Sequence, residues 1–127
     1  MKEEFVFPTH FPREEVACHC CGKIGPYPEA LKHLLGMMEK LRERIGKPIM
    51  PNCMYRCPYN NAAVGGVLNS LHTKDQACDC YMPGMTIDEL ADAARDVGFG
   101  GIGRYYPADG LPGFVHMDTG PVGNWVG

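Results

Sequence analysis

No apolar run in this 127-residue chain reaches the roughly 18 residues that span a bilayer, so nothing in it reads as a membrane helix. Positive charge is in short supply. Twelve Lys and Arg face 15 Asp and Glu, giving a formal net charge of −3. Without a basic patch interleaved with aromatics, nucleic acid is not an expected partner. The opening Met1-Lys2-Glu3-Glu4-Phe5 has no apolar h-region and no small-residue cleavage site, so no secretory signal is expected. Internal repeats and low-complexity tracts are also missing, which excludes solenoids and arrays.

What the chain has in excess is Gly (16) and Pro (11), which predicts a loop-rich fold of short elements. Its length suits one domain over residues 1–127, with an irregular segment 1–27 packed on it. Pro8, Pro12 and Pro26 interrupt that segment, leaving room for one helical turn between Phe11 and Val16. Pro28 opens a helix whose apolar stripe is Leu31, Leu34, Leu35, Met38, Leu41 and Ile45, and Gly46 stops it. The stretch 47–51 reads as extended, 54–58 as a turn and 59–64 as a brief helix before Gly65-Gly66. Thr86-Ile87-Asp88-Glu89 is a capping box that begins a second helix, ended by Gly98. Gln76–Met82, Gly101–Tyr106 and Phe114–Asp118 are strand candidates, the last two joined by a turn at Asp109-Gly110. The order predicts an α+β fold with a small antiparallel sheet flanked by helices.

Chemistry concentrates in Ser70–Asp79 and in Phe114-Val115-His116-Met117-Asp118. Side chains alternate along a strand, so Ala77, Asp79 and Tyr81 share one face while Cys78 and Cys80 take the other. By the same rule Phe114, His116 and Asp118 share a face. Two neighbouring strands can then aim Asp79 and His116 at one point, with His72 arriving from the preceding loop. Two imidazoles and one carboxylate leave a zinc position open for water, as catalytic sites do. Asp118, beside them, is the expected general base. Arg56 is the candidate to pair with a substrate carboxylate or an oxyanion. The competing readings are structural histidines with no metal, a surface salt bridge for Arg56, and an iron site built on the H-x-D of His116-Met117-Asp118. The iron reading suffers because no His follows Asp118.

Seven cysteines are present: Cys18, Cys20, Cys21, Cys53, Cys57, Cys78 and Cys80. Free thiols are the default for a chain without a secretory signal. Cys18, Cys20 and Cys21 form a dense cluster whose alternatives are a second, structural metal, a disulfide, or plain buried thiols.

The linked motifs resemble the zinc D-Ala-D-Ala carboxypeptidase family of metallopeptidases, in its short, single-domain cell-wall branch. Ser70, His72, Ala77 and Asp79 match its S-x-H-x-x-G-x-A-x-D, and Val115, His116 and Asp118 match its V-H-x-D. Tyr55-Arg56-Cys57-Pro58, Asn60 and Gly65-Gly66 resemble its S-G-Y-R-x-P…N…G-G run. Gly101-Ile102-Gly103, Tyr105, Asp118-Thr119-Gly120, Trp125 and the cysteine-rich stretch from Cys18 also fit. The resemblance implies a Hedgehog/DD-peptidase fold and Zn²⁺ on His72, Asp79 and His116. It also implies substrate contacts from Arg56, Ser70 and Tyr55, and hydrolysis of peptidoglycan stem peptides as a carboxypeptidase or an endopeptidase. In several branches the base is a Glu three residues before the last His; that position is Gly113 here, which leaves Asp118. Two further departures are Asp75 for the glycine of H-x-x-G, and Cys53-Met54 for S-G. They motivate a rival expectation, a zinc-containing module of the same fold that binds cell-wall peptide without cleaving it. A cytoplasmic protein and a phage-type lysin released through a membrane lesion both accord with the missing signal.

Overall fold

The computed structural model describes residues 5–67 and 69–127. Residues 1–4, which carry most of the segment read for a leader, lie outside the described residues. The longest element is helix α2, Pro28–Ile45, preceded by the single turn α1, Arg13–Val16, and followed by the short α3, Pro58–Ala63. Proline at the first helical position gives up no hydrogen bond, and Gly46 closes the helix at φ 78° with its N–H on Arg42 O. Leu31, Leu34, Leu35, Met38 and Leu41 all point inward, and each such burial is worth roughly 1.5–3 kcal/mol. Helix α4, Ile87–Val97, begins at the expected capping box. The Thr86 hydroxyl accepts from Glu89 N at 3.0 Å, and the Glu89 carboxylate accepts from Thr86 N at 2.9 Å.

Among the described residues, five strands form one sheet: β1 Met50–Cys53, β2 Ala77–Tyr81, β3 Gly101–Tyr105, β4 Phe114–Asp118 and β5 Gly123–Val126. Their order is β1-β2-β4-β3-β5. The first three pairings are antiparallel, whereas β5 runs parallel to β3, so the sheet is mixed rather than purely antiparallel. The sequence offers little sign of β5. Gly-Asn-Trp-Val is too short to show an alternation, and an edge strand takes its register from its neighbour.

Alternation along the strands gives the sheet two unlike faces. Cys78, Cys80, Ile102, Val115 and Met117 enter the core against α2 and α4, together with Phe11 and Val16 from the N-terminal segment. Asp79, His116 and Asp118 occupy the opposite face. Among the described residues, no helix is long and apolar enough to cross a membrane.

Candidate metal centre

His72 is carried by a single 3-10 turn, Leu71–Lys74, that precedes β2. The Ser70 hydroxyl caps the turn by accepting from His72 N at 3.2 Å. Asp75 closes it in the left-handed region, at φ 60° and ψ 32°. Asp is among the few non-glycine residues that adopt this conformation readily, which explains its presence at a family glycine. The Asp75 carboxylate is itself buried and accepts from Tyr27 N at 3.0 Å. Burial raises its pKa to about 6, against the lowering effect of the Tyr27 and Gly25 N–H groups.

Asp79 and His116 are register partners across β2 and β4, so the sheet itself sets them side by side. His116 Nδ1 lies 3.0 Å from Asp79 Oδ1, and His72 Nε2 lies 3.2 Å from the same oxygen. One ligand atom from each of the three residues falls within 4.8 Å of the others. The remaining ring nitrogens are also engaged. His72 Nδ1 donates to Met54 O at 2.8 Å, which leaves the lone pair on Nε2 when the ring is neutral. His116 Nε2 donates to Asp118 Oδ2 at 2.8 Å, which leaves the lone pair on Nδ1. Both imidazoles are thus fixed in the tautomer and orientation that a shared metal requires.

The charges agree with this reading. Burial favours neutral His72, but its hydrogen bonds to Asp79 and Cys53 prevail and raise its pKa to about 10. Burial likewise opposes ionised Asp79, yet the two histidines hold it down at about 2. His116 is raised in the same way by Asp118 and Asp79. Protons and a divalent cation therefore compete for the same three atoms. Two nitrogens and one oxygen, with their outer partners in place, fit a zinc ion that keeps positions open for water and substrate.

Asp118 lines the cleft with the three donors, but both of its carboxylate oxygens are already engaged. Its Oδ1 accepts from Gly101 N at 3.0 Å and Gly120 N at 2.9 Å, and its Oδ2 is taken by His116. It meets His116 at Nε2, the nitrogen remote from Asp79. Nor is there room for a carboxylate at Gly113, which has φ 76°; a Cβ there would fall 2.3 Å from Tyr105 O.

The candidate ligands face a cleft of about 520 Å³, lined also by Arg56, Ser70, Tyr105, Phe114, Asp118 and Trp125. Two depressions of similar size, about 540 and 560 Å³, lie near Met82-Pro83-Gly84. Neither gathers a set of metal donors, so chemistry and not volume selects the site. Arg56 Nε donates to Asn61 Oδ1 at 3.0 Å and Nη2 to Ser70 Oγ at 3.2 Å. Both partners are neutral, and among the described residues no carboxylate pairs with Arg56, so its charge is available to a ligand. Asn61, absent from the sequence reading, is buried and fixed by its own bond to Val67 O at 2.7 Å. The neighbouring Asn60, the asparagine matched to the motif, turns its amide toward Cys18 Sγ. Tyr55, expected to touch substrate, is buried with its N–H on Val16 O and does not line the cleft. Trp125 was legible only as part of the family pattern. The parallel strand β5 lays its ring against Gly103 and 5.2 Å from the His116 ring.

The cysteines divide by the same logic. Cys78 and Cys80 are core residues, and all seven thiols are free. Cys18 and Cys21 converge instead on Cys57, which was not part of the expected cluster.

A family profile described as Peptidase M15 matches residues 9–118, which is most of the chain and includes all three candidate ligands. The chain belongs to the peptidase M15 family. Similar proteins include the peptidoglycan L,D-endopeptidase MepK of Escherichia coli K12, 41% identical over 61 residues, and the probable peptidoglycan L,D-endopeptidase MepK of Haemophilus influenzae, 36% identical over 80. These matches cover 48% and 59% of this chain, and 31% and 41% of the respective relatives. The M15 chain described here therefore aligns with less than half the length of either one.

Proposed function

We propose that this chain is a zinc peptidase domain that hydrolyses peptidoglycan stem peptides, at an internal L,D linkage in preference to a terminal D-Ala-D-Ala. The observation that carries this reading is the convergence of His72 Nε2, Asp79 Oδ1 and His116 Nδ1 on a cleft that also holds an unpaired guanidinium. Of the two activities the motifs leave open, carboxypeptidase and endopeptidase, the names of the M15 relatives favour the second, at an L,D linkage.

Bound at these three residues, zinc would polarise the scissile carbonyl and bring the pKa of a bound water toward neutrality. The protein's part is positional. Met54 O and Asp118 hold the two imidazoles, and Asn61 and Ser70 hold Arg56. Arg56 then offers its remaining N–H donors to a substrate carboxylate or to the developing oxyanion. Tyr105 and Trp125 form one wall, tied by the Trp125 Nε1 bond to Tyr105 OH at 3.0 Å. We assign Asp118 the positioning of His116 and not the deprotonation of water.

Two synthetic stem peptides test the proposal, one with an internal L,D bond and one ending in D-Ala-D-Ala, each analysed by mass spectrometry after incubation with zinc-loaded protein. Cleavage of the first, abolished by chelator, is expected. Arg56→Ala should lower kcat/KM by roughly 10²–10³-fold with zinc content unchanged. Cleavage of only the second would make the chain a carboxypeptidase. Hydrolysis of neither would leave the non-catalytic peptide-binding module.

A further inference from the structure

The thiols that the peptidase site does not use form a second constellation. Cys18 and Cys21 are spaced C-x-x-C and are followed by Gly22-Lys23. The chain folds there into a tight knuckle: Cys18 N donates to Lys23 O at 2.9 Å, Gly22 N donates to Cys18 O at 2.8 Å, and Gly22 takes φ 72°. Cys57 enters from the segment that carries Arg56, 39 residues away from Cys18. One sulfur from each of Cys18, Cys21 and Cys57 lies within 4.8 Å of the other two. The Cys20 thiol adjoins Cys57. The sulfurs also collect N–H donors. Cys57 N and Asn60 Nδ2 point to Cys18 Sγ, at 3.3 and 3.8 Å, and Asn60 N points to Cys57 Sγ at 3.4 Å. Such donors stabilise negative charge on sulfur and orient a thiolate, as outer partners of a metal ligand do.

From this geometry we propose that Cys18, Cys21 and Cys57, completed by Cys20, bind a second zinc ion in a closed, all-thiolate structural site. Three soft sulfurs around one point select zinc over the hard, oxygen-bound cations; the exposed Cys20, outside that group but beside Cys57, would swing in as the fourth ligand and leave no position for water. The site is separate from the His72–Asp79–His116 centre and has a different task. It staples the knuckle 18–23 to the residue next to Arg56, beside the backbone bond from Tyr55 N to Val16 O. Zinc at the thiolates thereby holds the arginine that the peptidase site presents to substrate.

Elemental analysis of the full chain, purified under reducing conditions without chelators, tests this. Two zinc ions per wild-type chain are expected, one in His116→Ala, one in Cys57→Ser, and none when both changes are combined. A wild type with one zinc that His116→Ala removes entirely would overturn the proposal. So would a denatured, unreduced protein with two fewer reactive thiols than the seven in the sequence, which would mean a disulfide. Should Cys57→Ser fail to fold, cobalt added to His116→Ala decides. Thiolate-to-cobalt charge-transfer absorption supports the site, and its absence refutes it.

Discussion

Asp118 accepts three hydrogen bonds, two from backbone amides and one from His116 Nε2. A carboxylate so engaged differs from a free base in what its amide replacement should do. Asn at this position can turn its NH₂ toward His116, which reverses the tautomer and withdraws the lone pair from Nδ1. Asp118→Asn should therefore weaken zinc binding by about 10–100-fold, measured by competition with a chromophoric chelator. Unchanged affinity with lost turnover would restore Asp118 as the base. Asp75 makes the opposite case, a carboxylate that burial penalises. Its folded pKa, about 6, lies above the ordinary 3.8. Its contribution to stability is thus complete below pH 3.8 and declines as pH rises to 6. Asp75→Asn keeps a residue that tolerates φ 60° and an acceptor for Tyr27 N. It should be about 2 kcal/mol more stable than wild type near neutrality, and that difference should vanish in acid. Equal denaturation midpoints at both pH values would contradict this.

Helices α2 and α4 begin and end where their proline, capping box and glycines place them, because caps and amphipathic stripes are local properties. Strands β2 and β4 were also readable, and their period of two correctly separated Cys78 and Cys80 from Asp79. The 3-10 turn that delivers His72 was not anticipated, since one capped turn leaves no periodic trace. Strand β5 was equally hidden, and with it the position of Trp125. Gly103 is the point where β5 presses closest, because a Cβ there would lie 2.4 Å from the indole. Gly103→Ala should displace the ring from the cleft wall. The only tryptophan of the chain reports this directly, as a red shift of its emission with helical circular dichroism retained. An unshifted spectrum would show that the strand accommodates the methyl.

Folding and metal binding are coupled through the donor set. His72 is raised above its ordinary 6.5, so its pairing stabilises the metal-free protein below that pH and is lost as pH rises through about 10. Asp79 is lowered, so its pairing is present above 3.8 and is lost as pH falls through about 2. Zinc must displace the His72 proton, and its affinity should rise with pH. At a free concentration 100-fold above Kd, a ligand of the native state adds about 2.7 kcal/mol. The zinc-dependent rise in Tm at the histidine centre, taken as wild type minus His116→Ala, should be larger near pH 8 than near pH 6. A rise independent of pH would mean that His72 binds no metal. The donor types, their alternation along each strand and the two main helices were determined by the sequence alone, since all three depend on neighbours a few residues apart. Long-range packing determined the rest: which nitrogen of each histidine faces the centre, Asn61 beside Arg56, the burial of Tyr55, and Cys57 beside Cys18 and Cys21. Those outcomes depend on backbone carbonyls, strand pairings and loop contacts between segments far apart in the chain, and no spacing within a single segment encodes them.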